Sequence, residues 1–233
     1  AFLITAAEAL SVGAVAVETN DTVSIKSEAL LTINADIAAG GLMTLRGELG
    51  VDFDKDVSAQ TLEVLAGVGT TYNQVITGEA IADAILTTVG DLTLRARDIG
   101  DDNDTTGLAV VVGNAGDLII DADHATAGNV EIQSASALEL GDIQLKAGDT
   151  ATIKVNNAAM TTKSGAALST SGTLSLIANG ITINHSITAD VLTINSSTDN
   201  GGTVGNAAIE VVDAALLTTL AGNMTISGTE FLN

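Results

Sequence analysis

Short segments in which apolar residues alternate with small or polar ones constrain this chain more than any other feature. Residues 171–197 contain three such segments, separated by brief breaks at 179–180 and 189–190. An alternation with a period of two is typical of a β-strand that buries one face. We therefore predict three strands in quick succession, with the buried residues Leu174, Leu176, Ile181, Ile183, Leu192 and Ile194.

The same unit recurs along the chain as Gly, any residue, apolar, any residue, apolar. Neighbouring copies lie from about a dozen to about thirty residues apart, so the repeat has no fixed period. Internal repetition with irregular spacing indicates a solenoid that has several strands per turn and loops of unequal length. The copies begin at Gly41, Gly90, Gly116, Gly128, Gly141, Gly172 and Gly222.

These repeats predict an all-β fold, a right-handed parallel β-helix that forms one elongated domain over residues 1–233 and is least regular around 47–88. With about 20 residues per turn and rungs about 4.8 Å apart, the chain would make about 11 or 12 turns and a rod of about 50 Å. A β-sandwich or barrel is the alternative, because strand alternation looks similar there. Asn-Gly pairs, a strong local sign of hairpins, occur at 179–180 and 200–201.

Two segments leave a short helix open as an alternative to strands. Residues 6–10 consist mainly of Ala, Glu and Leu, which are strong helix formers. In residues 76–87, Ile81 and Ile85 are four positions apart, as on the apolar face of an amphipathic helix. Two strands with a bend are the competing interpretation of residues 76–87.

The composition fits a narrow, aliphatic core and excludes two classes of partner. The chain has no Cys, Pro or Trp and only three Phe and one Tyr. Pro is confined to sheet edges and bulges, so its absence suits strands with neighbours on both sides.

No run approaches the roughly 20 apolar residues of a membrane span, so we expect a chain that does not span a membrane. A formal net charge of −21 argues against nucleic acid as a partner.

From about residue 30 to its end, the chain resembles the repeats of filamentous-haemagglutinin-type adhesins and other giant bacterial surface proteins. The segments GDLTLRARDIG (90–100), GTLSLIANGITINHSITADVLTINSS (172–197) and LLTTLAGNMTISG (216–228) carry the resemblance. It implies a parallel β-helix located outside the cell or on its surface. It also implies a structural or adhesive role with cell-surface or matrix contacts, and it points to no catalytic residue.

The densest acidic cluster lies in RDIGDDNDTTG and comprises Asp98, Asp101, Asp102, Asn103 and Asp104. Closely spaced carboxylates and an Asn amide on a Gly-flanked loop are ligands that Ca²⁺ prefers. We therefore treat the cluster as a candidate Ca²⁺ site, the only cofactor that the sequence suggests. A solvated acidic turn is the alternative.

The remaining polar groups favour structural roles. Asp52, Asp54 and Asp56 alternate and form a weaker metal candidate. We expect Arg95 and Arg97 to pair with Asp91 or Asp98 as part of the scaffold.

Catalysis finds little support in the sequence, so we predict no enzyme. No Ser lies in a Gly-x-Ser-x-Gly elbow, and His124 and His185 have no second ligand at zinc spacing. A monomeric carbohydrate-binding or carbohydrate-active β-helix is the alternative function, although aromatic faces for sugar rings are scarce. Ice binding requires Thr ladders in register, which Thr203, Thr218, Thr219 and Thr225 do not form in the sequence.

Both sequence ends, AFLIT (1–5) and TEFLN (229–233), are apolar and strand-like. The terminal rungs of a solenoid expose unpaired N–H and C=O groups unless they are capped. We therefore predict a homopolymer held by end-to-end contacts of Phe2, Leu3, Ile4, Phe231 and Leu232. The sequence thus favours an extracellular structural protein, either a self-assembling filament subunit or a segment of a giant adhesin.

Overall fold

The computed structural model describes residues 1–69, 71–78, 84–101, 107–122, 127–197, 207–212 and 214–232, and every regular element in these ranges is a β-strand. The first nine are β1 (Phe2–Ala6), β2 (Leu10–Val12), β3 (Val15–Thr19), β4 (Val23–Ser27), β5 (Leu30–Ile33), β6 (Ile37–Gly47), β7 (Gly50–Phe53), β8 (Val57–Ala66) and β9 (Val75–Gly78). The next nine are β10 (Ile85–Thr88), β11 (Leu92–Arg95), β12 (Asp98–Asp101), β13 (Leu108–Val112), β14 (Leu118–Ala122), β15 (Asn129–Ser134), β16 (Leu138–Leu145), β17 (Thr150–Val155) and β18 (Met160–Thr162). The last nine are β19 (Leu168–Ser169), β20 (Thr173–Ala178), β21 (Ile181–Ile183), β22 (Ile187–Ala189), β23 (Val191–Ser196), β24 (Ala208–Val211), β25 (Leu217–Thr219), β26 (Met224–Ser227) and β27 (Glu230–Leu232).

The strands pair in parallel with strands two or three places away along the chain, so the polypeptide coils and stacks on itself. This pairing confirms the predicted parallel β-helix and excludes the sandwich or barrel. In the described part of the chain, the only isolated bridge joins Val68 to Thr71 and is antiparallel. The Asn-Gly pair at 179–180 is a corner between β20 and β21 rather than a hairpin, and the pair at 200–201 lies outside the described residues.

The β-helix has three faces, and β6, β8 and β16 each bend through a corner and contribute to two of them. The first face comprises β1, β4, residues 42–47 of β6, residues 61–66 of β8, β11, β14, residues 143–145 of β16, β19, β22 and β25. The second face comprises β2, β5, β7, β9, β12, β15, β17, β20, β23 and β26. The third face comprises β3, residues 37–40 of β6, residues 57–59 of β8, β10, β13, residues 138–140 of β16, β18, β21, β24 and β27. On this third face the ladder is interrupted, because β13 pairs with β15.

The predicted number of about 11 or 12 turns is wrong, since the described strands make about nine. On the first face, nine steps from one rung to the next lead from Ile4 in β1 to Leu217 in β25. Each step therefore takes about 24 residues rather than the predicted 20 or so. The steps vary because the corners carry loops of different length. Leu45 and Val64, 19 positions apart, occupy neighbouring rungs, and so do Val64 and Leu94, which are 30 positions apart.

The core consists of vertical columns of inward-facing aliphatic side chains. Each inward residue lies opposite the inward residue of the next rung, so one hydrophobic cluster extends from Val12 to Ile209. The six residues predicted to be buried in 171–197 are all at most 1% exposed. The longest column on the first face contains Ile4, Ile25, Leu45, Val64, Leu94, Ile120, Ile143, Leu168, Ile187 and Leu217.

Neither segment considered as a helix contains helical residues in its described part. In the first, β1 ends at Ala6 and β2 begins at Leu10. In the second, Ile76 belongs to β9 and Ile85 to β10, so the two-strand alternative is confirmed at both ends of the segment. Residues 79–83, including Ile81, lie outside the described residues.

Most glycines of the sequence repeat lie where successive rungs are in close contact. Gly41, Gly90, Gly116 and Gly141 precede strands of the first face, whereas Gly128, Gly172 and Gly222 precede strands of the second. A Cβ atom at Gly116 would lie 2.1 Å from the carbonyl carbon and oxygen of Gly90. At four of the seven copies, those of Gly41, Gly116, Gly128 and Gly172, the repeat therefore marks a corner at which the backbone of the previous rung leaves no room for a side chain.

We predict that Gly116→Ala destabilises the protein by about 1–3 kcal/mol or more, because the new methyl group overlaps backbone that can move only with its rung. Gly13→Ala is the matched control, since a Cβ atom there meets nothing within 4 Å. Its effect should stay within about 0.5 kcal/mol. Thermal unfolding followed by circular dichroism measures both, and equal melting temperatures for the two variants would contradict the close-contact explanation.

Candidate functional site

The two end rungs are where the described structure leaves its sheets open. Each strand of the N-terminal rung (β1, β2 and β3) and of the C-terminal rung (β25, β26 and β27) pairs with one strand only. Their outer edges therefore present backbone N–H and C=O groups without a neighbouring strand among the described residues. Open sheet edges of this kind are templates for pairing with another strand.

Three of the five predicted assembly residues are the open ends of core columns. Phe2 and Ile4 lie opposite residues of β4 that are at most 1% exposed, and Phe231 lies opposite Ile209, which is fully buried. At the end rungs no described strand covers this inward side, and Phe2 is 38% exposed and Phe231 is 60% exposed. These side chains would be buried if another rung were added.

The other two predicted assembly residues point away from the core. Leu3 lies opposite Ser24, and Leu232 lies opposite Glu210, both in outward columns. Their exposures of 72% and 43% therefore belong to the sides of the β-helix. The sequence identified the end segments but did not distinguish which residues face the opening.

Of the candidate Ca²⁺ cluster, Asp98 is held by structural hydrogen bonds. Its Oδ1 accepts from the backbone N–H of Asn129 (2.9 Å), and its Oδ2 accepts from the guanidinium of Arg97 (Nε at 2.6 Å). Asp101 is the last residue of β12. Asp102, Asn103 and Asp104 lie outside the described residues. The Ca²⁺ site therefore stays a prediction.

Within the described ranges, no three His, Cys, Asp or Glu side chains are grouped so that they could hold a metal ion. The weaker candidate is divided between a strand and a turn, because Asp52 belongs to β7 whereas Asp54 and Asp56 follow it. Asp52 accepts a hydrogen bond from the hydroxyl of Thr77, at 2.8 Å.

Carboxylates at the corners instead bind backbone N–H groups one turn further along the chain. This arrangement satisfies donors where the ladder is interrupted by a corner. The N–H groups of Ile85, Asp117 and Ala167 donate to Asp56, Asp91 and Asp142, at 2.8, 3.1 and 2.7 Å respectively. The signal that was missed is the Asp directly after the repeat glycine, which accepts in this way at positions 91 and 142.

Asp149 is the most deeply buried corner carboxylate, at 1% exposure. Its two oxygens accept from the N–H groups of Gly128 (2.7 Å) and Lys146 (2.6 Å). It thus links two consecutive rungs.

Asp117, 4% exposed, forms an ion pair with the ammonium of Lys163. The hydrogen bond to Asp117 raises the pKa of Lys163 above its usual 10.5, and the charges of Asp117, Asp91 and Glu139 act in the same direction. Asp91, Asp142 and Lys163 line one shallow pocket together with Asp117. The lysine offsets the repulsion among these stacked carboxylates.

The structural role predicted for the arginine pair is confirmed for Arg97, which pairs with Asp98 at 2.5 Å. Arg95 does not pair with Asp91 or Asp98. Its guanidinium lies 5.7 Å from the centre of the Tyr72 ring, and its Nε lies 3.9 Å from a Glu63 carboxylate oxygen.

The Thr residues considered for ice binding lie on different faces, with Thr218 on the first and Thr225 on the second, and Thr203 lies outside the described residues. On the second face, the rung after Glu131 begins a column of outward-facing hydroxyl residues, one above the other. The sequence did not reveal this column because the rungs differ in length. The column contains Thr152, Ser175, Thr193 and Thr225. Of the two histidines, His185 is exposed in a turn and His124 lies outside the described residues.

We predict that Asp149→Ala destabilises the protein by about 1.5–3 kcal/mol, because two buried N–H groups lose a charged acceptor. Asp149→Asn should lose less, since its single carbonyl oxygen retains one acceptor. Asp36→Ala, at an exposed turn position, should change stability by at most about 0.5 kcal/mol. Urea unfolding monitored by circular dichroism ranks the three variants, and a loss for Asp36→Ala as large as for Asp149→Ala would contradict this role.

The raised pKa of Lys163 predicts alkaline sensitivity. Because the folded-state pKa exceeds the unfolded value, the ion pair stabilises the fold fully below pH 10.5, and this contribution is lost as the pH rises through the folded pKa. Lys163→Gln should therefore have a lower melting temperature at pH 7 but a shallower decline above pH 10.5. Lys55→Gln, at an exposed position, should keep the wild-type pH profile. Identical pH profiles for wild type and Lys163→Gln would refute the role of the pair.

Comparisons with known proteins add no family to this picture. None of the described elements is a helix of the length and apolarity needed to cross a membrane. A search against family models, curated proteins and solved structures finds no match to the chain.

Proposed function

We propose that this β-helix is an extracellular structural protein that is extended through its ends, either as a self-assembling filament subunit or as one segment of a giant adhesin. The observation that carries the proposal is the pair of open end rungs, whose strands lack a second neighbour among the described residues and whose inward residues Phe2, Met224 and Phe231 are exposed. The repeat pattern that the chain has in common with filamentous-haemagglutinin-type adhesins supports an extracellular or cell-surface location.

The energetics favour covering these ends. Fully burying a large apolar side chain contributes about 1.5–3 kcal/mol, and Phe231 alone has 60% of its surface exposed. Hydrogen bonds along the three open strand edges of each end rung would add to this stabilisation. The opposing term is repulsion between copies that each carry a net charge of −21. Salt at 0.15 M screens charges beyond about 8 Å, so we expect assembly to strengthen with ionic strength.

We predict that the purified 233-residue protein forms long, uniform fibres in negative-stain electron microscopy at 0.15 M salt. Phe231→Lys should abolish them, because its ammonium would be buried without a partner between two stacked ends, at a cost of several kcal/mol. Leu232→Lys is the matched control, since the neighbouring side chain points to the outer surface, and its fibres should persist.

Circular dichroism of both variants establishes that the β-helix itself stays folded. Repeating the microscopy with calcium and with a chelator tests whether Ca²⁺ takes part, and loss of fibres on chelation would place the ion at the contacts. Isolated short rods of the wild-type protein at every salt concentration would refute self-assembly. Equal loss of fibres in the two lysine variants would refute burial of the inward side chains.

A further inference from the structure

We propose that a second copy of the chain docks head to tail and in a defined register. The C-terminal rung of one copy pairs in parallel with the N-terminal rung of the next, with Leu217 opposite Ile4 and Met224 opposite Leu10. This inference rests on the proposed function and adds to it the polarity and the register of the contact.

The hydrogen bonds between successive rungs follow one rule. The N–H of an inward-facing residue donates to the carbonyl oxygen that immediately precedes its partner in the next rung. The rule holds from the first step to the last: Phe2 donates to Thr22 at 2.8 Å, Leu92 to Asp117 at 2.9 Å and Ile187 to Leu216 at 2.9 Å. Inward residues therefore bind forward along the β-helix, and outward residues bind backward.

This rule makes the two ends complementary. On the C-terminal rung, the N–H groups of the inward residues Leu217 and Met224 point towards the open edge. On the N-terminal rung, the carbonyl of the outward residue Leu3 points towards the open edge, because the inward neighbours Phe2 and Ile4 bind forward. A bond from Leu217 N–H to Leu3 of the next copy would repeat the bond from Ile187 to Leu216.

Contact between two like ends lacks this continuity. Turning one copy over to bring two C-terminal rungs together would make their strands antiparallel, whereas every strand pairing in the described structure is parallel. Head-to-tail stacking keeps the parallel direction on all three faces.

The side-chain columns fix the register. Leu217 ends the ten-residue column that begins at Ile4. Met224 ends an equally long column on the second face, comprising Leu10, Leu31, Val51, Ile76, Ile99, Val130, Ala151, Leu174, Leu192 and Met224. Placing the first residue of each column over the last residue continues both columns at once.

The occupant of such an edge must supply three parallel strands with apolar inward side chains. The opposite end of this chain does so, because Ile4, Leu10 and Val15 face Leu217, Met224 and Phe231 in the proposed register, and none of the six is charged. A second copy therefore matches the edge in hydrogen bonding, in side-chain columns and in polarity.

Thr5 and Thr218 provide the test, because each follows its inward residue by one position and faces outward. In the proposed register they lie opposite each other across the junction, about 4.8 Å apart, which is within the Cα separation that a disulfide allows. The native chain has no Cys. Under oxidation, Thr5→Cys combined with Thr218→Cys should give a ladder of multimers on a non-reducing gel, and reduction should return it to monomer.

Three control variants test whether the ladder reports the proposed polarity and register. On the non-reducing gel, Thr5→Cys alone and Thr218→Cys alone should run as monomers, and disulfide dimers of either would show contact between like ends and overturn the proposed polarity. Thr5→Cys combined with Thr225→Cys places the second thiol on another face of the C-terminal rung, so it should give no ladder. A ladder there equal to that of the Thr5 and Thr218 pair would overturn the register.

Electron microscopy of the same samples separates the two proposals. Fibres without cross-linking of the Thr5 and Thr218 pair would refute the register while leaving the structural function intact. Single rods without cross-linking would refute self-assembly itself and, with it, the docking of a second copy.

Discussion

The parallel register between successive rungs is the constraint on which the rest of this structure depends. Backbone hydrogen bonds hold neighbouring strands about 4.8 Å apart, so every side chain must fit directly above and below its equivalents. Aliphatic residues stacked in columns satisfy this condition inside, and the repeat glycines satisfy it at corners where backbone meets backbone. Phe53 is the only fully buried aromatic residue in the described core, and the rung above it has Gly78 at the paired position. A Cβ atom at Gly78 would lie 3.9 Å from Cβ of Phe53 but only 2.7 Å from Cδ1 of Leu108, so the missing side chain makes room for Leu108 in this part of the core.

The local features of the fold could be predicted from the sequence, whereas the pairing of residues could not. Alternation identified strands and inward residues such as Leu174 and Ile194, because a period of two depends only on neighbouring positions. The number of turns depends on the lengths of corner loops, and the step from Val64 to Leu94 is half as long again as the step before it. No local pattern reports that difference. The same limit applied to the assembly residues, since only the pairing shows that Phe231 closes a column and Leu232 does not.

The surplus of acidic residues has a structural use that composition alone did not indicate. Corners are the places where a ladder of parallel strands leaves N–H groups without a carbonyl partner. A carboxylate accepts such donors more strongly than a neutral group does, as Asp149 does for two rungs at once. Two of the acidic residues that resembled metal ligands in the sequence, Asp56 and Asp98, bind backbone N–H groups in this way. Spacing along the chain could not distinguish the two roles, because the donors lie about one turn away.

The open end rungs also affect how stability is distributed along the β-helix. Each rung contacts only the rungs before and after it, so stability is close to a sum of nearest-neighbour terms. An end rung has one such term and an internal rung has two, which makes fraying from the ends the lowest-energy opening of the molecule. Amide protons in β1 and β27 should therefore exchange with solvent faster than those of β11 or β14. A stacked copy would convert each end rung into an internal one, so growth of a fibre would remove its own weakest points.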